Sequence, residues 1–521
     1  MQGGGSSARK IEQALAALAV AAVIAAGVTL RLWNVTNQPL WLDEAYSAYA
    51  AARNFGFLWN VVPTYETHPP FYYSMVRLWT LAFGDSLVAL RALGILCGMA
   101  AIFAAAFAMR AIARLLELPR SATLIAMACA MMLVALSPMP LELSRMVRPY
   151  APMMLVYALA IATLFTLARR LRDGDGLGNR HFIAWLILLA LMLWLHNLGI
   201  LFAGTLGLAF LILCVRREWR KPDWIWFFAG HLVVGLVWLP AILIIADQAP
   251  GWIQSTWLTF SPHLIPYQVG VLLVGNQALS WISGAALVMI AAWRLQTIRD
   301  GNRTLIALIL LSTLPAMLSI AISATITPVF HLRIMVPISI ASALLIALGA
   351  ALTRGVGRLL AGLAIVIILT QMGLSGVNMR KRAPPEDWYG VVHWIESRIR
   401  PGDLVLTYPN EGSLPFDRAV GDLGLDLPST PIPVAVPAID VGGWYPTGSR
   451  GVVSLPRDRL RAIARSAPVA AAPTVWLIRM GPWAYDKGDV FLQELGHGRV
   501  RVAHTQMGVI VLDGLRRANV K

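Results

Sequence analysis

The chain has 521 residues, 58% of them hydrophobic and only 13% charged, against about a quarter charged in a soluble globular protein. That balance excludes an ordinary soluble enzyme. The net charge of +16 does not indicate nucleic acid, because the basic residues are distributed by membrane side. Cys97, Cys129 and Cys214 all lie in apolar runs, which excludes a disulfide framework or a thiolate metal site.

The leader MQGGGSSARK runs into an apolar stretch at about 13–32. No small-residue cleavage site followed by a polar mature sequence is present, so the stretch is read as a retained helix rather than a signal peptide. Residues 33–85 form an external loop that is too polar and too broken by proline to cross a bilayer. Its aromatic residues suit amphipathic helices lying at the interface. Asp43 and Glu44 open this loop in PLWLDEAYSAY, with Tyr46 close behind. Two readings of Asp43 stay open, and they are compatible. It can cap a helix over 45–53, or it can face a cleft as a general base whose pKa an adjacent carboxylate helps to raise. Glu66 and His68 follow, and Pro69-Pro70 fixes an extended approach to an aromatic helix.

Further apolar runs at about 86–109, 122–138, 150–168, 182–196, 198–215, 224–246, 267–293, 304–325, 330–352 and 358–377 are long enough to span. They predict an α-helical polytopic membrane protein with about 11 transmembrane helices. An interruption at Gly275-Asn276-Gln277 can split one run, which widens the range to 11–13. Before residue 380 there are 25 Lys/Arg. Eighteen fall on one side of this alternation and seven on the other, which puts the first set in the cytoplasm. The N-terminus is then cytoplasmic and the C-terminus extracytoplasmic. Anionic-lipid contact is a secondary role for the basic residues.

The span interiors carry almost no charge. His231 is the main exception, read as a histidine bonded to a neighbouring helix. Polar groups gather instead at the outer ends: Glu142, Arg145 and Arg148 in LELSRMVRPY, His196 in WLHNLG, His331 and Arg333 in FHLRIMVP. Arg145 and Arg148, three apart at a helix start, would share one face and clamp a phosphate; snorkelling at the interface is the competing reading. His196 is either a site residue or a turn residue. Arg333, a few residues inside its span, is costly without an anion, which favours a ligand.

After residue 380 the composition changes at KRAPPEDWYG. A helix from Trp388, the strands LVLTY and TVWLIRM, and a strand segment in RVRVAHTQMGVIVLD predict a small α/β domain over 380–521 outside the membrane. Residues 1–379 form the membrane domain. PSTPIPVAVPAIDVGGWYPTG reads as a long loop. The domain contains no Gly-rich nucleotide fingerprint after a strand.

Taken together, the Asp-Glu pair after the first span, HPP before an aromatic helix, SRMVRPYA, a His between short spans and a late outer Arg resemble the GT-C glycosyltransferases. The branch is that of the protein O-mannosyltransferases and the lipid A aminoarabinose transferases. The resemblance is specific for 38–95 and 142–152 and weak beyond 403. It implies inverting transfer of a sugar from a polyprenyl-phosphate donor to a hydroxyl acceptor (lipid, glycan or protein) on the extracytoplasmic face of the inner membrane.

Carried over, Asp43 is the base, and Glu44, Glu66, His68 and Tyr46 shape the substrate site. Arg145, Arg148 and Arg333 hold the donor phosphate and His196 lines the donor cavity, with Tyr150 and His331 as further substrate-binding residues. The family's late Arg-Tyr is Arg333-Ile334 here, which leaves that tyrosine contact without a counterpart. No cofactor is required; a divalent metal, if used, would take Asp43, Glu44 and Glu66 as hard oxygen ligands. A monomer among membrane lipids, without nucleic acid, is expected. The competing readings are a lipid or glycolipid flippase without chemistry, and a non-catalytic partner presenting its soluble domain.

Overall fold

Apolar helices broken at proline and glycine organise the first 381 residues of the computed structural model, which describes residues 4–66, 68–215, 219–255, 258–434 and 454–518. Among the described residues, six helices are long and apolar enough to cross a membrane: Leu87–Leu115, Tyr150–Arg172, Lys221–Pro250, Ala278–Leu295, Gly301–Thr325 and Val356–Lys381. Six shorter apolar helices, Ala16–Leu32, Arg120–Leu136, Arg180–Leu195, Gly199–Cys214, Pro262–Val274 and Ile338–Ala351, accompany them. This is a helical membrane protein, but fewer than the eleven expected runs reach spanning length.

The reasons are local. The run expected over 267–293 is split at Gly275, whose φ of +95° is left-handed and ends a helix at low cost only for glycine. The run expected over 330–352 begins at Ile338, after Pro337. Helix Arg120–Leu136 stops at Ser137, ahead of Pro138.

The chain divides into two compact units, Met1–Trp33 with Arg91–Ile242 and Thr259–Lys381, and Asn34–Leu90 with Leu243–Leu258 and Arg382–Lys521. In the first unit, helix Ile338–Ala351 is buried along its whole length. It packs against Arg120–Leu136, Ala278–Leu295 and Gly301–Thr325. A helix that is apolar all round belongs in such an interior. Its small residues allow the close approach: a Cβ on Gly349 would lie 2.0 Å from the carbonyl oxygen of Leu287. Tyr157 donates to the Leu311 carbonyl at 2.6 Å, satisfying a buried hydroxyl between two spans. His231 bonds the Phe227 carbonyl through Nδ1 at 2.8 Å and accepts from Trp185 Nε1 at 3.4 Å, which is the interhelical role expected of it.

The second unit contains a five-stranded sheet. Its strands are β1 (Leu404–Tyr408), β2 (Pro431–Pro433), β3 (Thr474–Met480), β4 (Arg499–Met507) and β5 (Ile510–Arg517), in the order β2-β1-β3-β5-β4. The first three are parallel; β5 and β4 form an antiparallel hairpin. Alternation sends Val405, Trp476 and Ile478 to one face, with Trp388, Val391, Val392 and Ile395 of helix Trp388–Glu396. It sends Leu406, Tyr408, Val475 and Leu477 to the other, with Leu460 and Phe491. TVWLIRM is therefore covered on both faces and reads as a continuous apolar run.

β2 corrects the expected loop. Its two prolines are tolerated because it is an edge strand, while residues 435–448 of that loop lie outside the described residues.

Arg479 lies inside the sheet, 3% exposed, paired with Asp486 at 3.0 Å, Asp513 at 2.8 Å and also Asp489. Burial alone would loosen its proton, but the three carboxylates outweigh that and hold its pKa above the ordinary value. Arg479→Ala leaves Asp486 buried without its cation and Asp513 with only His504 at 2.7 Å and Arg501 at 3.6 Å, at an expected cost of about 3–5 kcal/mol. The check is a lower apparent melting temperature of the detergent-purified protein.

Candidate functional site

The predicted site residues fall into two groups, one in each unit. In the second unit, the acidic pair opens helix Leu42–Ala52. Asp43 occupies its first turn and is half-buried, whereas Glu44 is 2% exposed. The helix begins three residues earlier than expected, and this changes the capping assignment. Glu44, not Asp43, reaches back to accept from the Trp41 backbone N–H, at 3.4 Å. Glu44 is thereby fixed as a structural carboxylate of the first turn, and the side chain of Asp43 is not the cap. A negative charge in this first turn is also favoured by the helix dipole.

Behind the acids lies a tyrosine cluster. Tyr46 donates to Tyr65 at 3.0 Å and meets Tyr73 edge-on at 5.5 Å between ring centroids. Burial, then neighbouring Tyr65, Tyr73 and Glu66, pushes the Tyr46 phenol well above its ordinary pKa. Tyr46 therefore stays protonated and acts only as a hydroxyl. Glu66 accepts from the His68 backbone N–H at 3.1 Å and bonds its Nδ1 at 2.8 Å, leaving Nε2 as the ring atom directed elsewhere. Among the described residues no three His, Cys, Asp or Glu side chains converge as a metal-ligand set. Asp43, Glu44 and Glu66, the ligands a divalent metal would take if one were used, are not gathered into such a set.

Glu386, from the expected boundary segment, was not legible as a site residue. One of its oxygens accepts from both Leu42 N–H and Trp388 Nε1, each at 2.9 Å. This ties the start of the acid-bearing helix to the first helix of the sheet domain. Helix Leu42–Ala52 also packs on Ser413–Leu423, and Arg418 reaches the Asp85 carbonyl at 2.8 Å.

In the first unit, Arg145 and Arg148 are not on a helix. They occupy an irregular segment, residues 144–149, between helix Pro138–Leu143 and helix Tyr150–Arg172. The expected shared helical face is corrected accordingly: Pro149 disfavours helical geometry at Arg148. Both arginines are buried, 4% and 6% exposed, so two cations stand within four residues in the interior of a membrane unit. Exposed snorkelling is thus not their situation.

Two glycines of helix Leu87–Leu115 admit this segment. A Cβ on Gly98 would lie 2.4 Å from Ser144 Cβ, and one on Gly94 would lie 2.7 Å from the Ser144 carbonyl oxygen. The ion pair between Glu142 and Arg380 anchors the preceding short helix to the end of Val356–Lys381. Arg380, next to a composition boundary, was not recognisable from sequence.

Tyr150 and His196, both 2% exposed, lie beside each other with ring centroids 6.4 Å apart. His196 caps helix Arg180–Leu195 and accepts from the Leu198 backbone N–H through Nδ1 at 3.0 Å. It stands at the turn between helices Arg180–Leu195 and Gly199–Cys214. His331 and Arg333 precede helix Ile338–Ala351 instead of lying inside it. They are half-buried in the turn segment 326–337, where Arg333 N–H donates to His331 Nδ1 at 3.3 Å. Arg333 is thus carried by irregular backbone, like Arg145 and Arg148.

No family model and no curated protein matches the sequence. Solved structures do. ArnT from Cupriavidus metallidurans in the apo state is similar over 97% of this chain and 98% of its own, at 13% identity and a TM-score of 0.59. The same protein bound to undecaprenyl phosphate matches over 96% and 97%, at 12% identity and a TM-score of 0.53. The oligosaccharyltransferase AglB from Archaeoglobus fulgidus, in complex with an inhibitory peptide and a dolichol-phosphate, matches over 98% of this chain and 75% of its own. Its identity is 11% and its TM-score 0.51.

Replacing Gly98 by leucine is expected to displace Ser144, and the arginine segment with it, costing about 1–3 kcal/mol or more. A lowered melting temperature, together with faster proteolysis near residues 144–149, checks this. The likeness over nearly the whole chain establishes the architecture: the chain has the fold of ArnT and AglB.

Proposed function

We propose that this protein is an inverting glycosyltransferase of the inner membrane, using a polyprenyl-phosphate sugar and an acceptor hydroxyl on the extracytoplasmic face. The observation that carries the reading is the burial of Arg145 and Arg148 on irregular backbone within an apolar helical unit. So dense a positive site, buried within the protein near the outer end of its spans, suits a phosphate ligand. The GT-C fold over nearly the whole chain supports it, as does the undecaprenyl phosphate bound by ArnT.

In this reading Asp43 accepts the proton of the acceptor hydroxyl as its oxygen attacks the anomeric carbon. The bond from that carbon to the phosphate oxygen breaks, and its electron pair stays with the leaving lipid phosphate. Arg145, Arg148 and Arg333 stabilise the charge that develops there. The phosphate leaves without a protein acid, and one base suffices for inversion. Glu44 holds the first turn that presents Asp43. Tyr46, Glu66 and His68 shape the acceptor side, and Tyr150, His196 and His331 the donor side. The sheet domain stands on the extracytoplasmic side of the membrane.

The test is transfer of labelled sugar from an undecaprenyl-phosphate donor to the host's envelope lipids and glycans. Asp43→Asn is expected to lower kcat by about a hundredfold or more with melting unchanged; near-normal transfer would remove Asp43 as the base. Arg145→Ala is expected to weaken donor use about tenfold or more and to leave acceptor KM unaltered, and an unaltered donor KM would count against its phosphate role. Label that crosses the membrane without being transferred would identify a lipid carrier instead.

A further inference from the structure

A cavity of about 310 Å³ opens in the first unit between helices Leu87–Leu115, Tyr150–Arg172 and Arg180–Leu195. Its polar lining is Arg110, Arg114, Arg169, His181, Thr163 and Thr166; Phe107 and Leu159 supply apolar wall. Arg169 follows Tyr150 by nineteen residues of helix, about 28 Å at 1.5 Å per residue. The cavity is therefore about a membrane's thickness away from the buried pair Arg145 and Arg148.

The arginines at this end of the unit are not equivalent. Arg170 is paired with Asp175 at 2.8 Å, and Arg172 with Glu117 at 3.1 Å and Asp173 at 3.0 Å. Among the described residues Arg110 and Arg114 make no ion pair or hydrogen bond, and they stand one helical turn apart on the same face. Of the lining residues only Arg169 has a carboxylate, Asp173 at 3.0 Å, which it shares with Arg172. The Nδ1 of His181 is buried and lacks a hydrogen-bond partner, a costly state for a ring nitrogen unless something fills the cavity. The hydroxyls of Thr163 and Thr166 bond their own helix at 2.8 Å each, and an incoming oxygen can compete for their hydrogens.

The uncompensated charge, the orphaned ring nitrogen and the apolar wall share one space. We infer that this cavity binds a phosphate group, that of an anionic phospholipid head group, between Arg110, Arg114 and His181, with an acyl chain along Phe107 and Leu159. A phosphodiester supplies the anion the two arginines lack and an acceptor for His181 Nδ1–H. Basic pockets between membrane helices are suited to such head groups. The site is independent of the proposed sugar transfer.

The experiment uses detergent-purified full-length protein titrated with phosphatidylglycerol, phosphatidylcholine or inorganic phosphate. Lipid adducts are read by native mass spectrometry, and phosphate by equilibrium dialysis. One saturable phosphatidylglycerol adduct is expected, with phosphatidylcholine retained far less. The double variant Arg110→Ala/Arg114→Ala is expected to weaken that adduct about ten- to thirtyfold. Arg110→Lys/Arg114→Lys should recover most of it, and both variants should melt like the parent. Equal retention of the two lipids, or a phosphatidylglycerol adduct unmoved in the alanine variant, would overturn the site. Arginine-dependent binding of inorganic phosphate with no lipid preference would uphold the phosphate chemistry and overturn the lipid as its source.

Discussion

Backbone N–H and C=O groups within a bilayer have no water to bond, so any departure from helix must be satisfied by the protein itself. The first unit departs from helix repeatedly, and four of these breaks among the described residues carry an internal side-chain partner. Ser144 Oγ donates to the Leu141 carbonyl beside Arg145. His196 Nδ1 takes the Leu198 N–H. Trp281 Nε1 donates to the Gly275 carbonyl where one expected span is split. Ser323 Oγ accepts from both Val329 and Phe330 ahead of Arg333. Three of these four breaks hold a predicted site residue, so the requirement to satisfy backbone in an apolar medium also decides where charged side chains can be held still.

Arginine placement follows the same economy. Arg31, fully buried at the end of the first helix, donates to the Gly27 and Ala135 carbonyls at 2.9 and 2.8 Å and so joins two helices. Arg380 is matched by Glu142, and Arg172 by several carboxylates. Counting arginines by side, as hydropathy analysis does, treats all of these as one kind. Their surroundings mark Arg31, Arg172 and Arg380 as structural cations.

Much of the architecture was legible because its determinants are local. Apolar run length marked the membrane helices, and alternation marked β1 and β3. The interruption at Gly275-Asn276-Gln277 announced a split through glycine's access to positive φ. What stayed hidden depended on partners distant in sequence. Glu386 is an ordinary acid in PPEDWYG until Leu42, 344 residues away, donates to it. Gly98 is one small residue among many in its span until Ser144 packs on it. Arg145 and Arg148 kept a helical spacing that Pro149 overrides. Glu44 took the capping role open to Asp43 because a helix start three residues earlier decides which carboxylate reaches the cap. β2 escaped notice because a proline-bearing triplet pairs only when a sheet edge is offered to it.

The single oxygen of Glu386 that serves both Leu42 and Trp388 has a mechanical meaning. Trp388 is wholly buried in the core of the sheet domain, and Leu42 is the residue immediately before Asp43. The carboxylate thus works as a rivet joining the sheet domain to the turn that bears the acid pair. Trp388 and the first turn of the acid-bearing helix therefore cannot shift independently of that oxygen, and a displacement of the sheet core is carried directly to the turn that holds Asp43.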